Sequence, residues 1–240
     1  MAGHSKWNNI KRKKEKTDAG KAKVFTKIGR ELMVAVKEGG ADPSANSRLR
    51  DCIAKAKANN VPNDNIERLL KKAAGSADAN NYENVVYEGY GPSGVAVMVE
   101  CLTDNRNRTA ADMRHCFDKF GGNMGLPGSV SFMFTRRGLI IIDGEGKDED
   151  NVLEHALECG ANDFIAEDGF FEIITEPASL SAVRESLEQK GYTFLSAEAE
   201  YHPSTFTTLD EESLSKMEKL LAMLEDNDDV QNVWHNLEEV

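Results

Sequence analysis

Charge is divided unevenly along this chain. Residues 1–72 hold 18 Lys and Arg against 8 Asp and Glu, whereas residues 73–240 hold 11 against 33. The first part therefore has a net charge of +10 and the second part −22, which the overall value of −12 conceals. Such a division predicts a basic module that binds a polyanion and an acidic body that is repelled from one. The alternative is a protein whose lysine-rich surface helix is simply exposed to solvent.

The basic part shows helical periodicity. Apolar side chains recur every three or four residues in three stretches, at 18–38, 42–60 and 62–74. Gly39 and Gly40 are expected to end the first helix, and Asp42 before Pro43 is predicted to cap the second. Short amphipathic helices joined by tight turns predict a three-helix bundle.

The acidic part changes to strands that alternate with helices. Two strands and a helix over 84–120 are completed by a strand, a helix and a strand over 205–237. Thr109 and Asp112 form a capping-box-like start for the first of these helices. Residues 129–200 form a second unit between the two halves, beginning with a predicted hairpin around Arg136-Arg137-Gly138.

The sequence therefore predicts an α+β protein. An N-terminal three-helix domain is followed by two α+β domains of the ferredoxin-like type, and the third domain is inserted within the second. The predicted boundaries are 1–75 for the helical domain, 76–128 with 204–240 for the second domain, and 129–203 for the inserted domain.

Several classes of protein are disfavoured by the sequence. No apolar run approaches the roughly 20 residues of a membrane span, and the first residues lack an apolar signal core, so we expect a cytoplasmic protein. The four cysteines fall at apolar positions and are interpreted as reduced core thiols. No Ser-His-Asp arrangement, HExxH motif or nucleophile elbow is present. We therefore expect no catalytic residues, no metal site and no cofactor.

The basic residues cluster on the N-terminal segment and on one face of the first helix. Several cations along one ridge are what phosphate binding needs, because each displaces a condensed counterion. The candidate nucleic-acid-binding residues here are Lys6, Lys11, Arg12, Lys13, Lys14, Lys16, Lys23, Lys27 and Arg30. Trp7 either stacks on an unpaired base or packs against the bundle.

Two further segments are candidates. Arg106 and Arg108 lie between a buried strand and a helix start, where they either bind phosphate or bases, or form ion pairs with the acidic body. A glycine-rich loop follows that helix, so the helix dipole has the wrong sign for a nucleotide phosphate loop. The loop is either a hinge or a flexible segment that approaches an RNA backbone closely, and its candidate residues are Gly121, Gly122, Asn123, Gly125 and Gly128.

Several segments resemble the YebC family, in family order and over nearly the whole chain. They are Gly3-His4-Ser5-Lys6-Trp7, Asn46-Ser47-Arg48-Leu49-Arg50, Asp64-Asn65-Ile66-Glu67-Arg68, Tyr87-Glu88-Gly89-Tyr90-Gly91-Pro92, Thr103-Asp104-Asn105-Arg106-Asn107-Arg108-Thr109 and Gly121-Gly122-Asn123-x-Gly125-x-x-Gly128-Ser129-Val130. Members of this family are widely labelled probable transcriptional regulators, and mitochondrial relatives are described as translational activators. The resemblance implies three domains, the third inserted within the second, and a non-enzymatic role on nucleic acid. Pro127 departs from the small polar residue expected in the loop.

We therefore expect a non-enzymatic nucleic-acid-binding regulator of gene expression. Its target is either promoter DNA or ribosomal or transfer RNA, including the ribosome itself. Exposed lysines contact phosphate as point charges and therefore distinguish base sequences poorly. The sequence also shows no dimerisation motif of the kind that proteins reading duplex DNA usually have, so these arguments favour RNA. An enzyme with a site in the interdomain cleft and an adaptor whose acidic body binds a basic protein are the alternatives. No membrane partner is expected, and the oligomeric state stays open.

Overall fold

The computed structural model describes residues 18–75, 82–167 and 169–238. Its first part is a bundle of three helices, α1 (Asp18–Gly39), α2 (Ser47–Ala58) and α3 (Asn63–Gly75). The inward faces of these helices share one core, which contains Ile28, Leu32, Ala35, Leu49, Cys52, Ala56 and Ile66. The bundle thus has an apolar centre of its own, as the helical spacing of the sequence predicts.

The predicted cap of α2 is wrong. Asn46 caps the helix, because its side-chain oxygen accepts a hydrogen bond from the Leu49 N–H at 3.0 Å. The Asn46 amide also donates to the carbonyl oxygens of Ala35 and Gly40, each at 2.8 Å, and the side chain is buried. Asp42 instead accepts from the Ser44 N–H in the preceding turn. A buried amide that satisfies three backbone groups is therefore preferred over an exposed carboxylate as the cap.

The remainder of the described chain has two antiparallel sheets and four helices. Its elements, in chain order, are β1 (Glu83–Tyr90), β2 (Ala96–Thr103), α4 (Arg106–Lys119), β3 (Asn123–Met124), β4 (Phe134–Asp143), α5 (Glu149–Glu158), β5 (Asp163–Glu167), β6 (Phe170–Thr175), α6 (Leu180–Gln189), β7 (Ser196–Pro203), α7 (Glu211–Asp226) and β8 (Val230–His235).

The first sheet has the strand order β3-β1-β2-β8. Helices α4 and α7 pack on one of its faces, and β2 is a nearly continuous apolar strand that lies at the centre of the core. Buried residues from all of these elements meet there, among them Val97, Val99, Cys101, Met113, Phe117, Met217, Leu220 and Leu224. The sheet is therefore assembled from residues at both ends of the acidic part of the chain.

The second sheet has the strand order β5-β6-β4-β7, and all four strands lie between β3 and β8 in the sequence. Helices α5 and α6 cover one of its faces, with Ile140, Ile142, Val152, Ala156, Phe171, Ile173, Val183 and Leu187 buried between the layers. The predicted fold class, a helical part followed by two α+β units, is confirmed. The proposed domain boundaries at 75/76, 128/129 and 203/204 stay a prediction.

The hairpin predicted around Arg136-Arg137-Gly138 is wrong. Residues 134–143 form one continuous strand, β4, which pairs with β6 on one side and β7 on the other. Gly138 is needed here for close packing, because a Cβ at this position would lie 2.2 Å from the Thr175 hydroxyl oxygen. The predicted strand at 205–208 is reduced to a single bridge between Thr207 and Leu237.

Candidate nucleic-acid interface

The N-terminal candidates lie outside the described residues. They are Lys6, Trp7, Lys11, Arg12, Lys13, Lys14 and Lys16. Their role in nucleic-acid binding stays a prediction, and the described candidates are those of α1, of the start of α4 and of the glycine-rich loop.

The basic face of α1 is docked on the connection between α7 and β8. Lys23 forms an ion pair with Asp226, the last residue of α7. Lys27 Nζ donates to the Glu225 carbonyl oxygen at 2.7 Å, and Arg30 Nη1 donates to the Asp228 carbonyl oxygen at 2.7 Å. The last carbonyls of a helix carry the negative end of its dipole, so cations are favourable at this place. We call this contact, between Lys23, Lys27 and Arg30 on α1 and residues 225–229, the α1–α7 junction.

Asp229 is the centre of the junction. Its two carboxylate oxygens accept hydrogen bonds from Arg30 Nη1 at 2.8 Å, Arg108 Nη2 at 2.7 Å and the Thr109 hydroxyl at 2.8 Å. The Thr103 hydroxyl lies 3.2 Å from the same carboxylate. Burial alone raises the pKa of a carboxyl group, but the donations from Arg108, Thr109 and Arg30 outweigh it and hold the pKa of Asp229 below its ordinary value. Asp229 is therefore a buried anion that joins α1, α4 and β2.

The start of α4 follows from the same cluster. Asn105 caps the helix by accepting from the Arg108 N–H at 3.1 Å, so the helix begins at Arg106 and the capping box at Thr109 is wrong. Thr109 is instead buried, and its hydroxyl is directed at Asp229. Arg108 also forms an ion pair with Asp104 at 2.9 Å. Of the two interpretations open for Arg108, the structure shows the ion pairs with the acidic body.

Arg106 is not part of the Asp229 cluster. Its Nη1 lies 3.9 Å from Glu83 Oε2, and 66% of its side chain is exposed. The Tyr87 hydroxyl donates to its carbonyl oxygen at 3.2 Å. Arg106 and Arg108 thus face different surroundings although they lie two positions apart, and of the pair Arg106 has the more accessible guanidinium.

The glycine-rich loop is held by an internal anion. The Glu88 carboxylate on β1 accepts hydrogen bonds from the backbone N–H groups of Gly128, Val130 and Ser131, each at 2.8 Å. The Glu88 carbonyl accepts from the Gly125 N–H, also at 2.8 Å. Burial raises the pKa of a carboxyl group, but these donations outweigh it and lower the pKa of Glu88 below its ordinary value of 4.5. Backbone groups that would suit a phosphate are therefore already occupied by a carboxylate.

The loop begins with Gly121 and Gly122, just after the end of α4. Asn123, in β3, pairs with Tyr90 of β1. A Cβ on Gly122 would lie 2.4 Å from the Tyr90 carbonyl oxygen, and Gly128 has φ +90°, so both positions require glycine. Two large apolar side chains are exposed in this region, Leu126 of the loop at 80% and Phe132 of the short helical turn that follows it at 76%. The loop region therefore exposes apolar side chains, whereas its backbone donors at Gly128, Val130 and Ser131 are engaged by Glu88.

A second contact joins the bundle to the second sheet. Arg50 Nε lies 3.0 Å from Glu185 Oε1, and Arg184 Nη1, which is buried, lies 3.1 Å from Asp51 Oδ1. Lys55 lies 2.9 Å from Glu31 and 3.7 Å from Glu198. Burial disfavours the charged form of this lysine, but Glu198 and Glu31 outweigh it and raise the pKa of Lys55.

Sequence reasoning missed the two acidic residues that organise these regions. Glu88 lies in the segment Tyr87-Glu88-Gly89-Tyr90-Gly91-Pro92. An acidic residue within a partly buried strand could have indicated that its carboxylate binds groups inside the protein. Asp229 ends the run Asp226-Asn227-Asp228-Asp229, which resembles the opening of a calcium loop but lacks the later ligands. Its partners come from α1 and α4, so local sequence does not reveal its role.

Other kinds of site find little support in the described residues. No group of three or more His, Cys, Asp or Glu side chains in that part of the chain is arranged to hold a metal ion. Across the same residues, no helix has both the length and the apolar character needed to cross a bilayer. The four cysteines are free thiols, three of them buried, and burial raises the pKa of Cys52 and Cys101 to about 12. The thiols of Cys52 and Cys101 are therefore protonated at neutral pH and pack within the apolar cores.

Comparison with known proteins identifies the family. Residues 5–76 match the model of the TACO1/YebC protein N-terminal domain, and residues 82–237 match that of the TACO1/YebC second and third domain. A probable transcriptional regulatory protein of Acetivibrio thermocellus is 61% identical over 238 residues, which cover 98% of both chains. Another, of Caldicellulosiruptor bescii, is 59% identical over 240 residues, which cover 100% of this chain and 99% of that protein.

A crystal structure gives the same answer for the fold. The structure of a conserved hypothetical protein from Aquifex aeolicus matches with a TM-score of 0.84 and 44% sequence identity, over 93% of each chain. Because both family models match, and because the similarity to these relatives extends along the whole sequence, the chain belongs to the TACO1/YebC family.

Proposed function

We propose that this protein is a non-enzymatic nucleic-acid-binding regulator of gene expression whose affinity resides in its basic N-terminal part. The observation that carries the proposal is the charge division, +10 for residues 1–72 against −22 for the rest. The names of the relatives, probable transcriptional regulatory proteins, agree with a regulatory role.

Several candidate cations already have anionic partners. Lys23, Lys27 and Arg30 of the N-terminal part contact residues 225–229, and Arg108 of the acidic part contacts Asp104 and Asp229. While the α1–α7 junction is formed, we therefore assign the affinity for phosphate first to the basic residues that precede α1, which are Lys6, Lys11, Arg12, Lys13, Lys14 and Lys16. Lysine contacts phosphate as a point charge and reads no base edge, so this affinity has little sequence dependence.

RNA, as found in the ribosome or in transfer RNA, is the favoured target. Reading duplex DNA needs a helix with base-specific side chains on its exposed face, usually in a two-fold dimer. The glycine-rich loop and the short helical turn after it expose Leu126 and Phe132 instead, and such side chains suit unpaired bases better than a regular groove. A body with a net charge of −22 is also repelled from a long rod of phosphates, whereas an assembly that includes basic proteins accommodates it.

Promoter DNA is the second candidate, because the relatives are named for transcription. One competition experiment separates the two. Labelled full-length protein is equilibrated with ribosomes and a promoter-length duplex at physiological salt, and each is used to displace the other. We expect ribosomes to compete at least as well as the duplex. Tight, sequence-specific binding to the duplex without any ribosome association would overturn the RNA proposal.

The location of the affinity is tested by charge removal. Lys11, Arg12, Lys13 and Lys14 are changed together to Gln, and the control changes four lysines of the acidic part, Lys147, Lys190, Lys216 and Lys219, so that both variants have the same formal charge. Only the first variant is expected to weaken binding to all sequences alike. Its slope of log affinity against log salt should fall by roughly 0.7 for each phosphate that the protein no longer neutralises on single strands, or roughly 0.9 on B-DNA. Equal slopes for the two variants would contradict the assignment.

A further inference from the structure

We propose that the α1–α7 junction is an autoinhibitory contact, in which residues 225–229 and the phosphates of a nucleic acid compete for the same cations of α1. This inference rests on the proposed function, since it concerns how the basic part becomes available to its target. It adds a closed state, the one described here, in which a portion of the basic surface is held by the acidic body.

The acidic segment offers α1 the same chemistry as a phosphate backbone. Lys23, Lys27 and Arg30 lie about one turn apart on one face, and their partners follow one another along residues 225–229. The partners are the carboxylates of Asp226 and Asp229 together with carbonyl oxygens at the negative end of α7. A row of closely spaced anionic oxygens is also what a nucleic-acid strand presents to a basic helix face.

The junction can open without leaving a buried charge unpaired. When α1 leaves, Asp229 keeps the hydrogen bonds from Arg108, Thr109 and Thr103 within its own part of the chain. The side chain of Asp229 is only 5% exposed, so the removal of every partner would be costly, but only Arg30 departs. Arg30 in turn binds water or a phosphate. This arrangement distinguishes the junction from a permanent buried ion pair.

The outer part of the junction is weak. In the Lys23–Asp226 pair the side chains are 42% and 72% exposed, and exposed ion pairs of this kind contribute little stability because water screens them. The contact of α2 with the second sheet and its helices is more enclosed, because Arg184 beside Asp51 is 5% exposed and Lys55 beside Glu198 is 20% exposed. Opening is therefore a rotation of the bundle about the α2 contact rather than full release.

Binding measurements on the full-length protein test the competition. The probe is a fluorescein-labelled oligouridylate, titrated at physiological salt and followed by anisotropy. Asp226→Asn removes the negative charge that pairs with Lys23, and the matched control Glu158→Gln removes the same charge from an exposed pair with Lys190 at 2.8 Å, on α5 of the other α+β unit. Asp226→Asn is expected to bind about two- to five-fold more tightly than the control, which is the affinity equivalent of one exposed ion pair.

A second variant separates competition from a general charge effect. In a Lys23→Gln background, Asp226→Asn has no cation to release, so its advantage over Glu158→Gln should disappear. An advantage that persists in this background, or an Asp226→Asn protein that binds no better than the control, would overturn the junction's role while leaving nucleic-acid binding intact. If none of these proteins, the unsubstituted chain included, binds the oligonucleotide or ribosomes, both proposals are wrong.

Hydrogen exchange gives an independent readout. The Asp229 N–H donates to the Asn227 side chain at 2.9 Å and the Val230 N–H to the Asn227 carbonyl at 3.2 Å, so these amides report the order of the acidic segment. Saturating oligouridylate should speed their exchange in the unsubstituted protein, because α1 leaves the segment. Unchanged or slower exchange at these amides, with the oligonucleotide bound, would refute the opening.

Discussion

Glu172 provides a test of the energetics of the second sheet. It lies on β6, opposite Ile141 of β4 and Ile165 of β5, and it is fully buried. Within the described residues neither of its carboxylate oxygens has a hydrogen-bond partner. Burial is the main cause that raises the pKa of Glu172 from 4.5 to about 7, with Arg137 opposing the change and Glu200 adding to it. The group is therefore expected to titrate near neutral pH.

The pH dependence follows from the direction of that change. Below about pH 4.5 the carboxyl group is neutral in both the folded and the unfolded chain, so it has no effect on folding. Between 4.5 and about 7 the unfolded chain loses the proton first, and the free energy of unfolding falls as the pH rises. Above about pH 7 the decrease in the free energy of unfolding is complete. It amounts to roughly 3 kcal/mol, because each unit of difference between the folded and unfolded pKa values contributes about 1.4 kcal/mol.

Glu172→Gln removes this dependence while keeping the shape of the side chain. The variant should gain up to roughly 3 kcal/mol over the unsubstituted protein at about pH 8, and the gain should vanish at about pH 4. Urea denaturation followed by circular dichroism measures both values. Glu145→Gln, on an exposed turn of the same unit, is the control and should show no such change. A stability difference between Glu172→Gln and the unsubstituted protein that is the same at both pH values would refute the reasoning.

Three other substitutions test particular contacts. Glu88→Gln weakens three hydrogen bonds from backbone N–H groups, so the amides of the glycine-rich loop should exchange with solvent faster. Because the pKa of Glu88 is lowered, the same loop in the unsubstituted protein should loosen only as the pH falls below about 4.5. Unchanged amide exchange in the variant would contradict this prediction. Gly138→Ala places a Cβ 2.2 Å from the Thr175 oxygen and should destabilise the protein by about 1–3 kcal/mol in a urea titration, whereas Gly75→Ala, at the end of α3 where a Cβ meets no atom within 4 Å, should have little effect. Asn46→Ala should lower the free energy of unfolding by about 1–3 kcal/mol in the same titration, and Asp42→Ala should lower it much less. Equal losses for the two variants would contradict the assignment of Asn46 as the cap.

Much of the fold follows from local periodicity. The apolar spacing places α1, and the continuous apolar run of β2 is visible as a buried strand, since these patterns depend only on neighbouring residues. The predictions from sequence are wrong where the role of a residue depends on a contact with a residue far away in the sequence. Gly138 has the sequence appearance of a turn, but it is small because Thr175 lies against it across the sheet. Asn46 caps α2 because α1 supplies carbonyl oxygens for its amide.

The candidate site illustrates the same limit. The cations of α1 are evident in the sequence, but the ion pair between Arg30 and Asp229 joins residues 199 positions apart. Counting charges gives the net value of each part and cannot say which acid meets which base. For that reason the sequence predicts a basic surface on α1, whereas the structure shows that surface in contact with the acidic body.

The nature of the contacts between the bundle and the body makes their reversibility physically reasonable. The apolar core of the bundle is built from its own helices, and the contacts described between bundle and body are ion pairs, hydrogen bonds and the stacking of Arg30 on Tyr82 at 5.5 Å. Polar contacts can exchange partners with water, ions or phosphates without exposing apolar area, and interfaces of this kind permit relative domain motion. The attraction that draws a basic module toward nucleic acid is the same attraction that holds α1 against residues 225–229. If the proposed competition holds, a nucleic acid binds α1 only when it attracts these cations more strongly than residues 225–229 do, which favours densely charged targets over isolated phosphates.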